Sequence, residues 1–588
     1  MAQDIAPPIR PAGPRPADLT PLARAWLVAL ARARAWAAGH AEQLTCAGVL
    51  LLTLAHLGRV YNRGFNLLDE GFVLHVAERV LQGQVPYRDF FTQLTPGAFL
   101  ALAAVFAVTG PSVIVGRWVT VVLGVLITAL LYTSGRRILS RPAAALAALA
   151  FPIWGIGQGW FYPNYSWFAL AGCMLALQCL LHAVAPRPGQ DGDARASVAW
   201  SAGAGFACGI ATFCKQNMGV YALVGVVVTL LVAGPFPVRG RLWRSCVACL
   251  AALPIPLGLL VWLAYHGALA DFFRDAVWIP LVVFPREMAA PYPAFWPPWP
   301  QPQDTPGRGD WAFRLVCLLP PLPYGLGLAK LILSRLRRRP VADASRHAAE
   351  VAWLTAALAL WGTAFPRADF DHVQVALGPA FVLGATVLES VGRLAVRHRV
   401  WRLWGAPHRE ILGRIDDAWC RRWLPQTLAG GVVAAFLVVG LGHARALHMG
   451  PGWTLRTLSG VAPRAAGILL DHDDAAELRH LVQEVRRLSA PGEAIVSLPW
   501  NAGLYFLAER RNASRYDLFI PASILPEDIP EIERALEEAR LIVYWTARDS
   551  FINNTSLDDR SPELHNILVS RYRAVAAINA YRLLLRDE

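Results

Sequence analysis

Apolar and polar positions along this chain segregate into long blocks. Between about residue 44 and about residue 442, apolar runs of roughly 17–25 residues recur, each long enough to cross a hydrocarbon layer of about 30 Å as a helix. They lie near 44–60, 113–134, 142–160, 166–185, 199–214, 218–234, 246–265, 311–334, 349–365, 373–390 and 424–442, which predicts about eleven spans. Pro96 to Thr109 is also apolar but too short to cross; Pro opens it and Gly110 closes it, so it predicts a helix lying at the membrane surface. Just before it, Phe72, Val73, Val76, Ala77, Val80 and Leu81 fall on one helical face, and His75, Glu78, Arg79 and Gln82 on the other. Beyond residue 443 the pattern is that of a globular domain. Ala494–Leu498 and Leu541–Trp545 read as buried strands, and Pro530 to Arg540 as a helix with acidic residues early and Arg late. The fold class expected is an α-helical polytopic membrane protein with a small external α/β domain. Its parts are a Pro- and Arg-rich N-terminal segment (1–43), a membrane region (44–442) and the C-terminal domain (443–588).

Composition agrees. Of 588 residues, 55% are hydrophobic and only 16% charged, with a mean hydropathy of +0.38; a soluble protein carries roughly 25% charged residues. The formal charge of +13 does not advertise a nucleic-acid partner. Its arginines cluster in alternate connections, at Arg136, Arg137 and Arg141, at Arg239, Arg241 and Arg244, at Arg335 to Arg339, and from Arg393 to Arg422. That alternation is the positive-inside signature. It predicts a plasma (inner) membrane protein with a cytoplasmic N-terminus and an extracytoplasmic C-terminal domain. The first apolar run is followed by no small-residue cleavage site, so it is expected to stay as an anchor. Cys246 and Cys249 form a CxxC at the start of a span; with no second pair it reads as small membrane-helix residues.

On this topology the first external loop, 61–111, holds the densest chemistry. Asp69-Glu70 stands at the exit of the first span, followed by Gly83-Gln84-Val85-Pro86-Tyr87-Arg88-Asp89 and by Gln93-Leu94-Thr95-Pro96. A plain alternative is that Asp69 only caps the following helix. Lys215 is one of two lysines in a chain with dozens of arginines, and it lies at the outer end of an apolar span beside Gln216. An ionisable residue there is functional by default, against the alternative of a snorkelling lysine.

These residues together resemble the GT-C glycosyltransferases that use polyprenyl-phosphate sugars, among them the protein O-mannosyltransferases, the lipid A aminoarabinose transferases and the rhizobial core galacturonosyltransferases. The resemblance rests on Asp69-Glu70, the G-x-x-P-Y-R-D run, the Pro-initiated surface helix, Arg117 early in the next span, Lys-Gln-x-x-Gly at Lys215–Gly219, and Phe365-Pro366-Arg367-x-Asp369-x-x-His372. It implies Asp69 as catalytic base with Glu70 beside it. It implies donor or acceptor contacts from Tyr87, Arg88, Asp89, Gln93, Arg117, Tyr162, Asn164, Lys215, Gln216, Arg367, Asp369 and His372. The partners implied are a polyprenyl-phosphate-linked sugar donor, an extracytoplasmic acceptor and the lipid bilayer. Relatives often have a second acidic residue where this chain has Tyr162, Asn164 and Tyr165; no cofactor is required by the pattern and a divalent cation stays open.

The chemistry suits these residue types. A polyprenyl phosphate is already a good leaving group, so the tasks left are to deprotonate an acceptor hydroxyl and to hold the leaving phosphate. Asp69 suits the first, and Lys215, Arg88, Arg367 and His372 the second. Arg117 either points into the cavity or anchors its span. The Pro- and Trp-rich loop near 267–310 covers the site or sits among headgroups, and Tyr505 to Asn512 either faces the acceptor or forms a surface helix end. Two rival readings are a polyprenyl-linked glycan ligase or polymerase and a non-catalytic transporter; a transporter should show internal repeats, and none is visible.

Overall fold

In a computed structural model of the chain, residues 34–157, 161–186, 194–289, 317–336, 344–368, 370–397, 417–449, 456–458, 460–520, 523–547 and 561–587 are described, with isolated positions 26, 29, 32, 292 and 557. Helices α1 (Ala41–Val60), α2 (Asp69–Leu81), α3 (Gly97–Thr109), α4 (Val113–Gly135), α5 (Arg141–Trp154), α6 (Tyr165–Val184) and α7 (Ala194–Cys214) follow in order. They continue as α8 (Gln216–Ala233), α9 (Val238–Ala252), α10 (Pro254–Tyr265), α11 (Pro321–Leu336), α12 (Ala344–Gly362), α13 (Phe370–Arg397) and α14 (Asp417–Met449). Between α10 and α11 lies a segment wound with π-type hydrogen bonds, Phe273–Val283. The protein is a polytopic helical membrane protein. Small residues bring its helices together: a Cβ on Gly205 of α7 would meet the Ala248 carbonyl of α9 at 1.9 Å, the close approach that drives association where lipid leaves no hydrophobic gain.

Eight helices among the described residues are long and apolar enough to cross a membrane, with α9 and α10 counting as one continuous stretch. The expected eleven therefore include three that fall short, for local reasons. α5 has only 14 residues, because Pro152 removes a backbone donor near its end and Gly155 follows. α11 has 16 and begins among Pro320, Pro321 and Pro323. α12 reaches 19 residues but carries Arg346 and Glu350. The short helix expected at 96–109 is α3, with 13 residues. The eight cysteines described are free thiols.

The C-terminal region adds a mixed sheet. Strands β1 (Arg456–Thr457) and β2 (Leu469–Leu470) pair with each other, while β3 (Ala494–Leu498), β4 (Arg511–Asn512), β5 (Leu541–Trp545), β6 (Tyr572–Ile578) and β7 (Tyr581–Arg586) form a five-stranded sheet in the order β4-β3-β5-β7-β6. β3 is parallel to β4 and β5; β7 is antiparallel to β5 and β6. Helices α15 (His472–Leu488), α16 (Ala502–Ala508), α17 (Ile529–Glu538) and α18 (Pro562–Arg571) complete it.

This region is bound to the segment between α1 and α3 by backbone hydrogen bonds: Leu469 N–H to the Asn62 carbonyl at 2.7 Å, Gly503 N–H to Leu67 at 2.9 Å and Phe91 N–H to Arg515 at 2.9 Å. The helix read in sequence as a surface end or an acceptor contact, with Tyr505 and Phe506, is instead buried against α2. A Cβ on Gly71 would meet Gly503 Cα at 2.3 Å, so the two backbones touch with no side chain between them. The polar face of α2 is accordingly no solvated face. Glu78 pairs with Arg464 at 2.7 Å, Arg79 pairs with Asp517 at 3.1 Å, and His75 stacks on Tyr505.

Candidate functional site

The adjacent carboxylates Asp69 and Glu70 face different surroundings. The Asn66 side-chain oxygen accepts from the backbone N–H groups of Leu68, at 2.8 Å, and Asp69, at 3.0 Å. Asn66 thus performs the capping task that the plain reading gave to Asp69. Asp69 begins α2 exposed. Glu70, one residue on, is fully enclosed and receives Arg117 through two nitrogens at 2.5 and 2.6 Å. Burial pushes the Glu70 carboxyl up, and the Arg117 guanidinium pulls it back. Arg117 also donates to the carbonyls of Tyr61, Arg63 and Gly64. The Glu70–Arg117 pair therefore closes the loop on the end of α4. Arg117 is spent on this buried pair and these carbonyls, and Glu70 is set apart from the open surface that Asp69 meets.

The P-Y-R-D turn is likewise tied internally. Tyr87 is buried with φ at 71°, a left-handed conformation that costs a non-glycine residue about 1–2 kcal/mol. It is held there by its hydroxyl bond to the Leu94 carbonyl at 2.8 Å and by its N–H bond to Phe90 at 2.8 Å. Asp89 accepts from Val85 N–H at 2.7 Å and pairs with Arg88 at 2.8 Å; the Arg88 hydrogen bond leads the effects that lower its carboxyl pKa. Arg88 stays near half exposed and donates to the His266 carbonyl. Tyr87 is thus a structural residue of the turn, whereas Arg88 remains presented at the surface.

Around Lys215 the predicted residues converge. Its ammonium, on a side chain 8% exposed, donates to the Ser166 hydroxyl at 3.0 Å and lies 5.2 Å from the centre of the Tyr165 ring. Ser166 N–H in turn caps on the Asn164 side chain at 2.7 Å, and Asn164 Nδ2 donates to the Tyr162 hydroxyl at 3.0 Å. Burial holds the Tyr162 phenol protonated, and the negative charges of Asp69 and Asp371 add to that effect. So Asp69, Tyr162, Asn164, Ser166 and Lys215 form one neighbourhood, drawn from the starts of α2, α6 and α8. Gln216 lies beside it and binds the Gln93 carbonyl at 2.7 Å and Thr95 N–H at 3.2 Å, so both glutamines join the loop framework. His372 and Asp371 lie in the first turn of α13, where Asp371 accepts from Gln374 at 2.8 Å. Arg367 reaches the Met288 sulfur at 3.9 Å, and Asp369 lies outside the described residues. Among the described residues no three His, Cys, Asp or Glu side chains converge as metal ligands.

Asn66, Ser166 and Asp371 are the residues that sequence reasoning passed over. Asn66 three residues before a helix carboxylate is a readable turn signal. The Ser166–Lys215 contact joins α6 to α8, and no local pattern announces it.

No family model and no curated protein sequence matches the chain. Solved structures do. ArnT from Cupriavidus metallidurans bound to undecaprenyl phosphate is similar over 92% of this chain and 97% of its own, at 15% identity and a TM-score of 0.52. The oligosaccharyltransferase AglB from Archaeoglobus fulgidus, in complex with an inhibitory peptide and a dolichol-phosphate, is similar over 87% of this chain and 70% of its own, at 12% identity and a TM-score of 0.50. The chain shares its fold with these two proteins. The likeness spans the C-terminal sheet as well as the membrane helices, since nearly all of both chains is covered in the ArnT comparison.

Proposed function

We propose that this protein is a membrane glycosyltransferase that moves a sugar from a polyprenyl-phosphate carrier to an extracytoplasmic acceptor. The observation that carries this reading is the enclosed Lys215 ammonium, held by Ser166 in the same neighbourhood as an exposed Asp69, in a fold shared with a protein bound to undecaprenyl phosphate. In the reaction, the Asp69 carboxylate takes the proton of the acceptor hydroxyl as the acceptor oxygen bonds to the anomeric carbon. The bond from that carbon to the phosphate oxygen breaks, and the electron pair leaves with the polyprenyl phosphate. Lys215 stabilises the charge that develops there, with Arg88 and Arg367 as further cations and His372 as a further hydrogen-bond donor. Attack opposite the leaving phosphate inverts the anomeric centre. Glu70 and Arg117 fix the loop that presents Asp69. No step is routed through a metal ion.

The site faces the extracytoplasmic side in this reading, with the N-terminus in the cytoplasm and the arginine-rich end of the bundle inside. Mass spectra of envelope glycolipids and glycoproteins from cells with and without the protein test the function. Loss of one sugar mass from one acceptor class is expected. Identical glycans with an altered distribution of lipid between leaflets would instead support a transporter. In a background lacking native cysteines, a cysteine at Gly83 should label from outside with an impermeant thiol reagent and one at Gly189 should not; the reverse pattern inverts the topology.

A further inference from the structure

One chain of polar contacts is used by neither the base nor the phosphate chemistry. It begins in the C-terminal domain at Arg515, whose Nη2 donates to Asp275 at 2.6 Å and to the Tyr87 carbonyl at 2.6 Å. Asp275 is fully enclosed in the π-wound segment and also pairs with Arg274 at 3.1 Å, while Arg274 reaches Asp528 at 2.6 Å. The next carbonyl, that of Ala276, accepts from Gln216 Nε2 at 3.0 Å. Gln216 is the first residue of α8 and follows Lys215 directly. Because the same amide also binds Gln93 and Thr95, the start of α8 is fixed by two segments, the 93–95 turn and the π-wound segment.

The π-wound segment needs outside support to hold that carbonyl in place. Its i→i+5 bonds are less favourable than those of an α-helix, and Pro280 within it contributes no N–H. The support available is the enclosed Asp275, clamped by guanidinium groups from its own segment and from the C-terminal domain. Removing Arg515 leaves the enclosed carboxylate with Arg274 alone, and the segment must shift to make good the lost hydrogen bond.

We propose that Asp275 and Arg515 are positioning residues for Lys215, the C-terminal domain holding the π-wound segment through this pair and that segment holding the start of α8 through Gln216. This rests on the reading of Lys215 as the cation that meets the carrier phosphate. It gives the C-terminal domain a task in donor binding, exerted through the π-wound segment.

The test is binding of undecaprenyl phosphate to the full-length protein in detergent, read for wild type, Lys215→Ala, Arg515→Met, Arg515→Lys, Asp275→Asn and the double variant Arg515→Met/Lys215→Ala. Arg515→Met should lose about 10-fold in affinity, the scale of one charged hydrogen bond. Arg515→Lys should recover most of it. In the Lys215→Ala background, Arg515→Met should cost nothing further, because a residue that acts through the lysine has nothing left to position. Equal losses in the two backgrounds, or wild-type affinity in Arg515→Met, overturn the proposal. Asp275→Asn, which keeps size, carries the same comparison if Arg515→Met does not purify as a single folded species. If wild type shows no binding, or Lys215→Ala binds as wild type does, the phosphate reading itself is what fails.

Discussion

Where α4 ends and α5 begins, Arg136 reaches Glu42 at 2.9 Å, Arg137 donates to the Ala185 carbonyl at 3.0 Å, and Arg346 donates to the Ile138 carbonyl at 2.6 Å. At the opposite end of α4, Arg117 binds Glu70, and nearby Arg79 binds Asp517. Both ends thus pair arginine with carboxylates or carbonyls. They differ in enclosure: the Arg136 and Glu42 side chains are 28% and 49% exposed, while those of Arg117 and Glu70 are 4% and 0%. Water screens the first pair and can replace either partner. The second pair sits under the C-terminal domain, where neither charge can be rehydrated without moving backbone. One end is a hydrated rim; the other is a rigid frame around an exposed carboxylate and a sheltered ammonium.

The sharpest way to break this contrast is at Asp69, the carboxylate of the framed end that stays exposed. Asp69→Asn keeps shape, and Asn66 already supplies the cap. Transfer should fall by roughly 10²–10⁴-fold with unfolding temperature and donor affinity unchanged, measured on purified protein. Near-normal transfer would reduce Asp69 to a surface residue. Next comes Arg117→Met, which strands the Glu70 charge. It should cost about 3–5 kcal/mol of stability in denaturant titrations, and Glu70→Gln in the same chain should return part of that loss. Failure of that rescue would mean that Arg117 acts through the backbone carbonyls instead.

A third probe is pH. Burial pushes the Asp275 carboxyl up to about 7 against the pull of Arg515 and Arg274, with Asp271 adding to the rise. The groups around it are Asp271 and Arg274 on its own segment and the preceding turn, Tyr87 from the P-Y-R-D turn, and Arg515, Tyr516, Asp528 and Glu531 from the C-terminal domain. A carboxyl whose folded value lies above its unfolded one stabilises the fold most in acid, and that contribution is lost as pH rises through about 7. Between about pH 5 and about pH 8, wild type should therefore lose unfolding temperature relative to Asp275→Asn. The ionised form that engages Arg515 strengthens over the same interval. Parallel curves for the two proteins would remove Asp275 as the titrating group. The smallest effect belongs to the rim: Arg136→Ala should change stability by at most about 1 kcal/mol, and a loss like that of Arg117→Met would erase the distinction between the ends.

Sequence made the helical class readable because hydrophobic length is a local property, and it made the Asp69, Lys215 and P-Y-R-D motifs readable because their residue types are rare in such surroundings. Three of the expected spans are shorter or more polar helices among the described residues, as where Pro152 and Gly155 fall near the end of α5. The partners of the polar face of α2 were illegible for a different reason. His75, Glu78 and Arg79 look solvated until Asp517 and Arg464 arrive from hundreds of residues away. Glu70 could not be told from Asp69 in sequence, since only the placement of Arg117 separates a buried counter-ion from an exposed carboxylate.

The touching backbones of Gly71 and Gly503, and the Arg79–Asp517 pair across 438 residues, set a clock on biogenesis. At a synthesis rate of about 5–20 residues per second, roughly 20–90 s pass between the making of α2 and of the segment that closes over it. For that time α2 waits with its charges unmatched, open to proteases and to wrong partners. A chain stopped short of β4 never seals it, so truncation late in the polypeptide should be felt first at its beginning.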